Sequence, residues 1–484
     1  MMRKYLMIGA SAFLLGAGSM ALVNATAHAN APKPEAYHML ELFGDVLTTV
    51  ESQYVTPVDD KKLIESAIDG MLTSLDPHSG YLNADSYDDM RDQTRGEYGG
   101  LGLEVTADDG VVKIISPMDD TPAARAGIKA GDYITAIDGK SVLGMPLDDA
   151  VKQMRGEVGQ PITLSIARDK HDPFDVKLVR ETIAVKSVKS HMEGDYGYLR
   201  ISTFNEKTGQ ETVTAVKALE TQNPKMKGVV LDLRNNPGGL LDQAVAVSDV
   251  FLDGGEVVSQ RGRDPQDIER YNARAGDMLH GLPMVTLINS GTASAAEIVS
   301  GALQDRHRSS VVGLTSFGKG SVQSVIPLRG GADGALKLTT ARYYTPSGRS
   351  IQKTGIEPDL EVAESKEQAD LVANKSFQFS EASFSNALNA DEGKVRRAPH
   401  APAEAPPAGF DVKADYQLSR ALAVLKAGSV DAARLPVKAS PAVAVVASAA
   451  RPAPSAVKTG VVPPGGAAQP AKDLSPPDKV PGAH

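Results

Sequence analysis

The spacing of apolar residues along the chain changes near residue 95. Between 36 and 95, apolar side chains recur every three or four positions, as at Leu40, Phe43 and Val50, which predicts amphipathic helices. From about 96 to 182 short runs with alternating apolar residues take over, which is typical of β-strands. The first part of the chain is therefore predicted to be a helical region followed by a β-rich domain.

The β-rich stretch carries local signals for a hairpin and a helix. Asp138-Gly139 lies between two apolar runs, and this dipeptide favours a tight two-residue hairpin. Leu147, Val151 and Met154 mark one face of a helix. A compact domain of about 85 residues results, which is a common size for an independent module.

From 183 to about 363 the pattern becomes α/β. Strands are predicted at Gly228 to Leu233, Met284 to Ile288 and Val322 to Ile326, with helices near 239–251 and 294–304. We therefore predict a multidomain α+β protein with a β-rich second domain and an α/β core.

Beyond the core the composition becomes polar and rich in alanine and proline. Little order is expected over 364–411, whereas the stripe from Tyr416 to Leu425 predicts a helix within 412–434 that docks on the core. The tail, 435–484, cannot bury enough surface to offset its ordering entropy and is predicted to be disordered. The predicted domain boundaries are 1–29, 30–95, 96–182, 183–363, 364–411, 412–434 and 435–484.

Composition excludes several classes of function. A formal net charge of -9 gives no basic footprint for nucleic acid. The chain has no cysteine, which removes thiol nucleophiles, disulfides and thiolate metal sites. Its nine histidines form no H-E-x-x-H motif, so a zinc-protease site has no support. No metal or cofactor is expected, and any nucleophile must be an oxygen or an amine.

The first 29 residues have the features of an export signal. Arg3 and Lys4 precede an apolar stretch from Tyr5 to Val23, and Ala27-His28-Ala29 is a cleavage-site pattern. Cleavage after Ala29 is the prediction, and an uncleaved inner-membrane anchor is the alternative. Either outcome predicts an exported protein that works in the periplasm.

Ser294 is the strongest candidate nucleophile. A buried strand runs into a turn of small residues, and a helix follows in which Ile298 and Leu303 are apolar positions. At the start of that helix the free amides favour negative charge, so the Ala295 N–H is a candidate oxyanion donor. Ser294 and Glu297 also form a capping-box pattern, which is a purely structural alternative.

Lys319 is the candidate general base. It is the only charged residue between Arg308 and Arg329, and desolvation by apolar and small neighbours would lower its pKa. If 319–326 is a strand, Gln323 lies on the same face as Lys319, where its amide can orient the amine. A surface loop lysine is the alternative interpretation.

A second oxyanion donor is predicted in the turn Arg234 to Gly239, after the strand that ends at Leu233. Its glycines, Gly238 and Gly239, permit close backbone approach. An ordinary strand-to-helix turn is equally compatible with this pattern.

Other catalytic patterns are weaker. A Ser-His-Asp triad would need His280 or His307, and the chain has no G-x-S-x-G motif. Ser316-x-x-Lys319 is similar to the motif of penicillin-recognising enzymes, but glycines at 318 and 320 disfavour the helix that this motif requires. The same spacing occurs at Ser350/Lys353 and Ser455/Lys458.

Five segments together resemble the C-terminal processing, or tail-specific, serine peptidases. Asp76 to Ser79 resembles the N-terminal element of that family, Gly99 to Glu104 its PDZ entry, and Arg234 to Gly239 its core turn. Thr292 to Glu297 is similar to its nucleophile segment and Gly318 to Gln323 to its base segment. The resemblance covers about 36 to 362 and the helix near 416–426.

The resemblance implies a role for each matched residue of the peptidase core. Ser294 would be the nucleophile, Lys319 the general base and Gln323 the residue that orients it. The oxyanion hole would use the Ala295 N–H and the N–H of either Gly238 or Gly239. No cofactor is implied.

The resemblance also implies that a PDZ domain receives the apolar C-terminus of a protein or peptide substrate. The carboxylate would bind backbone amides of the entry loop, formed by Gly99, Gly100, Leu101, Gly102 and Leu103. Arg155 matches a PDZ arginine that turns toward the catalytic site in some relatives. A solvated arginine at a helix end is its alternative interpretation.

The sequence leaves two other functions open: an exported PDZ scaffold with an inactive peptidase fold, and a penicillin-binding acyltransferase. A homodimer and an adaptor protein remain open as partners, and nucleic acid is not expected.

Overall fold

The computed structural model describes residues 34–264, 266–373, 380–390, 403–411 and 414–435. The predicted export signal and the tail after Leu435 lie outside these residues. Within them the protein is a multidomain α+β structure, as predicted. No helix of the described residues is both long and apolar enough to cross a membrane.

The N-terminal region consists of helices and one short strand: α1 (Pro34–Gln53), α2 (Asp60–Thr73), β1 (Gly80–Leu82) and α3 (Ala84–Arg95). Asp59 and Asn83 cap α2 and α3 through side-chain bonds to backbone N–H groups. The apolar stripe of α1 is not covered within the described residues, since Leu40 is 64% exposed and Val46 53% exposed. The predicted helix is present, but its apolar face is open.

The next domain contains a six-stranded antiparallel sheet and two helices. Its elements are β2 (Glu97–Gly100), β3 (Leu103–Asp108), β4 (Val111–Pro117), α4 (Pro122–Arg125), β5 (Tyr133–Ile137), β6 (Lys140–Ser141), α5 (Leu147–Met154), β7 (Pro161–Ala167), β8 (Phe174–Val179) and β9 (Glu181–Ala184). The strand order is β3-β4-β5-β7-β8, with β6 on β5, while β2 pairs separately with β9. This domain has its own buried cluster, in which Ile114, Ile134 and Leu164 are fully buried.

Two local predictions in this domain are confirmed. Asp138 and Gly139 connect β5 and β6, and both have positive φ (48° and 75°), as the favoured hairpin turn requires. Leu147, Val151 and Met154 lie on α5 and pack against the buried cluster.

The α/β core has two sheets. Its elements are β10 (Val188–Glu193), β11 (Tyr196–Ile201), α6 (Thr208–Gln222), β12 (Val229–Asp232), α7 (Leu241–Phe251), β13 (Gly255–Arg261), β14 (Ile268–Ala273), β15 (Met284–Ile288), α8 (Ala295–Asp305), β16 (Ser310–Gly313), β17 (Ser321–Pro327), β18 (Ala335–Tyr344) and β19 (Leu360–Glu361).

One sheet has the order β10-β11-β12-β15-β16-β19 and is parallel from β11 onward. The strands β12 and β15 at its centre are buried along their whole length, which explains their unbroken apolar sequences. The other sheet has the order β1-β18-β13-β14, with β17 paired to β18. The parallel sheet aligns the carboxyl ends of β12 and β15, and the catalytic candidates follow from that edge.

The chain after the core returns to it. Helix α9 (Lys366–Ala373) is followed by α10 (Tyr416–Ala427) and α11 (Val430–Ala433). Tyr416, Val424 and Leu425 of α10 belong to the buried cluster that also contains side chains of β15 and β16. The sequence predicted little order over 364–411, whereas the structure places α9 and a fully buried Glu381 in this range.

Candidate active site

Ser294 lies at the connection between β15 and α8, as the strand-turn-helix pattern predicts. Its backbone has φ 54° and ψ -117°, a conformation that costs energy in a residue with a side chain. The residue is partly exposed, whereas Ala295 and Ala296 behind it are buried. Ser294 is thus held at the N-terminus of a buried helix and is itself partly exposed.

The turn that carries Ser294 is tied to the neighbouring turn after β12. The Thr292 hydroxyl donates to the Leu233 carbonyl at 2.9 Å. The Ala293 N–H donates to the Asn236 carbonyl, also at 2.9 Å. These bonds fix the nucleophile turn against the glycine turn 234–239.

Glu297 connects the two candidate catalytic segments. Its fully buried carboxylate accepts four hydrogen bonds, from the N–H groups of Ser294, Gly318 and Lys319 and from the Ser316 hydroxyl. One oxygen, Oε2, accepts from both Ser294 (2.8 Å) and Lys319 (2.9 Å), so these backbone nitrogens lie less than about 6 Å apart. Burial raises the pKa of Glu297 to about 7, and the donated hydrogen bonds oppose that rise.

The sequence indicates Glu297 only as half of a helix cap. It does accept the Ser294 N–H, but its other three bonds reach 19 to 22 residues along the chain. The sequence does carry a signal for this role. Glu297 is the one charged residue in a helix start made of apolar and small residues, and a buried carboxylate there needs hydrogen-bond donors.

Lys319 lies in a loop immediately before β17 and is largely buried. Burial lowers the pKa of its amine to about 8, and the nearby positive charge of Lys337 contributes to this. Glu381, Glu297 and Asp76 act in the opposite direction. The Lys319 amine makes no hydrogen bond with the described residues, so it is available to a substrate or to a hydroxyl.

Gln323 does not contact Lys319 in the expected way. The strand begins at Ser321 rather than at 319, and the register between β17 and β18 shifts after Val322. The Gln323 amide instead donates to the hydroxyls of Ser321 (2.9 Å) and Thr339 (3.2 Å). The proposed orienting role of Gln323 therefore stays a prediction.

The two glycines of the core turn differ in what their amides do. An added side-chain carbon on Gly238 would lie 2.9 Å from the Ala295 nitrogen, so this glycine approaches the nucleophile closely and has φ 100°. Its N–H, however, donates to the Asn236 side chain at 2.9 Å. The N–H groups of Gly239 and Ala295 donate to no group among the described residues, which leaves both free to receive an oxyanion.

The entry loop of the β-rich domain also presents free amides. The N–H groups of Leu101 and Gly102 donate to nothing within the described part of the chain, while their carbonyls accept from Ala123 and Met118. Gly102 has φ 75°, and a side-chain carbon there would lie 2.3 Å from Thr121. Backbone amides in such a loop can receive a carboxylate.

A cavity adjoins this loop, between β3 and α5. Its apolar walls are formed by Leu101, Leu103, Val105, Val151 and Met154. Gly99, at the start of the loop, is packed against the backbone, because an added carbon would lie 2.0 Å from the Gly156 carbonyl oxygen. An apolar terminal side chain fits such a cavity.

Arg155 lies at the rim of the same cavity. Its guanidinium lies over the Tyr98 ring, 4.6 Å from the centroid, and contacts Asp89 of α3 at 3.4 Å. The structure therefore places Arg155 against the helical region, and its role as a sensor stays a prediction.

The alternative catalytic histidines are not brought to Ser294. His307 follows the far end of α8, about 18 Å along the helix from Ser294. His280 is exposed in the segment between β14 and β15. Ser316 is also unsuited to act as a nucleophile, since it donates to Glu297 and accepts from the Ile356 N–H, and 316–319 is not helical.

Comparison with protein families matches three parts of the chain. Residues 195–362 match Peptidase family S41, 113–168 match the PDZ domain, and 7–86 match the activating protease CtpB N-terminal domain. The PDZ match falls on the β-rich domain and the peptidase match on the α/β core.

Individual relatives give the same picture. The carboxy-terminal-processing protease of Bartonella bacilliformis is 53% identical over 365 residues, which cover 75% of this chain and 83% of that protein. A probable CtpA-like serine protease of Staphylococcus aureus is 38% identical over 331 residues, covering 67% of this chain and 65% of the relative. The solved photosystem II D1 C-terminal processing protease is 31% identical and covers 69% of this chain and 94% of that structure, with a TM-score of 0.40.

Proposed function

Because the chain belongs to the carboxy-terminal-processing proteases of peptidase family S41, we propose that it is an exported endopeptidase with a Ser294–Lys319 dyad. Serine-type peptidase activity follows from the family. The dyad, the export and the control of activity by the PDZ domain are our proposals. One observation supports the dyad above all: a single Glu297 oxygen accepts hydrogen bonds from the backbone N–H groups of both Ser294 and Lys319.

In the proposed mechanism, the neutral Lys319 amine removes the Ser294 proton as the hydroxyl oxygen attacks a substrate carbonyl. The resulting ammonium then protonates the leaving amine, and an acyl-enzyme on Ser294 remains. Lys319 next takes a proton from a water molecule as the water oxygen attacks the ester. The same amine returns that proton to the Ser294 oxygen as the ester bond breaks, which restores the hydroxyl and the neutral amine. An amine with a pKa of about 8 serves this cycle because about a tenth of it is neutral at pH 7, whereas an ordinary lysine with a pKa near 10.4 is neutral to less than about a thousandth.

The negative charge that develops on the substrate oxygen needs N–H donors that make no hydrogen bond within the described part of the protein. The Ala295 N–H at the start of α8 and the Gly239 N–H meet this condition. We assign the second donor to Gly239 rather than Gly238, because the Gly238 N–H is held by Asn236. The N-terminus of α8 adds a favourable helix dipole.

Substrate ends are proposed to bind the PDZ domain. The free carboxylate would accept from the Leu101 and Gly102 N–H groups, and an apolar last side chain would enter the cavity between β3 and α5. The backbone around the bound carboxylate would be formed by Gly99, Gly100 and Leu103. Engagement is proposed to release Arg155 from Tyr98 and Asp89 and so to raise peptidase activity.

Purified Ser294→Ala and Lys319→Met proteins test the dyad with a fluorescently labelled unfolded protein as substrate. We expect each substitution to lower kcat/KM by at least about a thousandfold. Arg329→Met, which removes an 85%-exposed cation, is the matched control for Lys319→Met and should keep wild-type activity. Full activity of either dyad variant would contradict the mechanism, and labelling of Ser316 by a β-lactam would favour a penicillin-binding acyltransferase.

Binding of a peptide to the full chain carrying Ser294→Ala tests the PDZ proposal. A peptide with an apolar last residue and a free carboxylate should bind at least about tenfold more tightly than the same peptide amidated at its C-terminus. Equal affinities would show that the entry loop does not read the carboxylate.

Fractionation of cells that produce the full chain tests export. We expect the mature protein outside the cytoplasm and an N-terminus after Ala29. Retention of the whole protein in the cytoplasm would contradict export, and a membrane-bound protein of full length would support the anchor alternative.

A further inference from the structure

Glu381 is a fully buried acidic residue that the proposed mechanism does not use. It lies in a single 3-10 turn, Glu381–Ser383, beyond the segment that matches the peptidase family. An isolated buried carboxylate costs several kcal/mol unless donors compensate it. The donors around Glu381 therefore indicate what it holds.

The Glu381 carboxylate joins two distant parts of the chain. One oxygen accepts from His78 Nε2 at 2.7 Å, and the other accepts from the Gln352 amide at 2.9 Å. The backbone N–H of Glu381 donates to the Phe317 carbonyl at 2.9 Å, two residues before Lys319. Glu381 thus contacts the Lys319 loop directly and through Gln352.

Gln352 completes the connection to the far side of Lys319. Its amide oxygen accepts from the Gly320 N–H at 3.0 Å, and the whole side chain is buried. The peptide groups on the near side, Gly318 and Lys319, donate to Glu297. Two buried carboxylates therefore hold the loop from opposite sides of the lysine, one directly and one through an amide.

Neighbouring contacts fix the segment that carries Glu381. The Phe384 ring packs near both His78 and Phe317, with centroid distances of 6.2 and 6.3 Å. The Asn386 amide donates to the Thr73 carbonyl at the end of α2 at 2.8 Å. The segment consequently links the N-terminal helical region to the catalytic loop.

Lys319 is surrounded by a small set of charges. Lys337 disfavours its ammonium form, while Glu381, Glu297 and Asp76 favour it. Removing the charge of Glu381 while Lys319 stays buried would therefore make Lys319 easier to deprotonate. The two consequences, on geometry and on protonation, are separable in a pH profile.

We propose that Glu381 is a positioning residue for the general base, which it holds in place through Gln352 and Phe317 with the help of His78. The proposal rests on the proposed role of Lys319. It adds a part of the chain outside the matched peptidase segment to the catalytic apparatus. It also makes the N-terminal turn 76–79 a support of the site.

The test measures kcat, KM and pH dependence for Glu381→Gln and Glu381→Ala in the full chain, with a fluorescent unfolded protein as substrate. A glutamine offers one acceptor oxygen where the two donors, His78 and Gln352, need two. We expect kcat to fall at least about tenfold with KM changed less than about twofold. In Glu381→Gln the midpoint of the rising pH limb should move about half a unit or more to lower pH.

His78→Leu is the second variant, because it removes a donor and leaves Glu381 and the Lys319 loop intact. His78→Leu should lower kcat, as the Glu381 variants do. Glu404→Gln is the matched control, since Glu404 is a mostly buried carboxylate, 14% exposed, that pairs with Arg420 at 2.6 Å and is far from the loop in sequence. The control should keep the wild-type kcat and pH midpoint.

Wild-type kcat and an unchanged pH midpoint in folded Glu381→Gln and His78→Leu would overturn the proposal. A lower melting temperature with normal kcat would also overturn it, because it would show a purely structural role. These outcomes are distinct from failure of the proposed function, which would appear as activity in Lys319→Met. If Lys319→Met is inactive while the Glu381 and His78 variants behave as wild type, only the positioning proposal is wrong.

Discussion

The turn that carries Ser294 and the loop that carries Lys319 are held by different kinds of contact. The Ser294 turn connects a buried strand to a buried helix and is bonded to the adjacent turn after β12. The Lys319 loop precedes its strand and depends on side chains from elsewhere, above all Glu297 and Gln352. The nucleophile is thus placed by regular secondary structure, whereas the base is placed by buried polar side chains.

This difference implies that substitutions on the two sides should have different kinetic signatures. Damage to the nucleophile side should lower activity equally at all pH values. Damage to the base side should also alter the pH at which activity appears, because the same side chains set the charge around the amine.

Outside the dyad itself, the largest expected effect comes from Glu297→Gln, which breaks both sides together. The NH₂ group of the new amide would replace one carboxylate oxygen and would face at least one backbone N–H, so that two donors would oppose each other. We expect the free energy of unfolding to fall by about 2–4 kcal/mol and kcat by about a hundredfold or more. Chemical denaturation and steady-state kinetics measure the two effects, with Glu404→Gln as the control, and a fully active variant would remove Glu297 from the account.

The pH dependence of the wild-type protein should report the protonation of Lys319. Lys319 acts only when neutral, so kcat/KM should rise with pH to a plateau, with a midpoint near the pKa of about 8. At two units below this midpoint the activity should be about a hundredth of the plateau. A flat profile between pH 6 and 9 would contradict a neutral lysine as the base.

Asn236→Ala should affect the nucleophile side alone. Asn236 is fully buried, its side chain accepts the Gly238 N–H and donates to the Ile201 carbonyl, and its backbone carbonyl accepts the Ala293 N–H. Loss of the side chain should loosen the glycine turn and lower the plateau about tenfold while the pH midpoint stays near its wild-type value. A shifted midpoint would show that the two sides are not separable.

Gln323→Ala should have the smallest effect. The Gln323 amide bonds to Ser321 and Thr339 rather than to Lys319, so its loss should disturb the base only weakly. If Gln323 orients Lys319 when substrate is bound, we expect Gln323→Ala to lower kcat about fivefold. Gln323→Glu serves as the comparison of equal size. Unchanged kcat in Gln323→Ala would remove the orienting role, and a loss as large as that of Lys319→Met would assign it a direct one.

The sequence predicts the nucleophile side better than the base side, for a physical reason. A buried strand, small residues and a helix start determine the Ser294 turn locally, so its position follows from the order of residues. The apolar and small neighbours of Lys319 in the sequence predict a desolvated amine, and the structure shows one. The strand predicted at Val322 to Ile326 is present as Ser321–Pro327, but the Lys319 loop before it has no regular pattern. Lys319 precedes the strand that carries Gln323, and the Gln323 amide donates to Ser321 and Thr339, so its orienting role stays a prediction.

Residues that act over long sequence distances were the hardest to predict. Glu297 had a local explanation as a helix cap, and its bonds to 316–319 depend on how two loops meet. Glu381 lies in a polar segment without helical or strand periodicity, and only the folded chain brings it to His78 and Gln352. The choice between Gly238 and Gly239 likewise depended on a side-chain bond from Asn236 that spacing does not reveal.

The central claim is that burial lowers the pKa of the Lys319 amine enough for it to act as the base for Ser294, and a direct titration of that amine tests it best. Carbon-13 NMR of selectively labelled lysine in the Ser294→Ala protein would follow the amine, with Lys319→Met in the same background assigning its signal. The account predicts one lysine that titrates near pH 8 and is missing in the assigned variant. Titration of every lysine near the ordinary value of about 10.4 would contradict it.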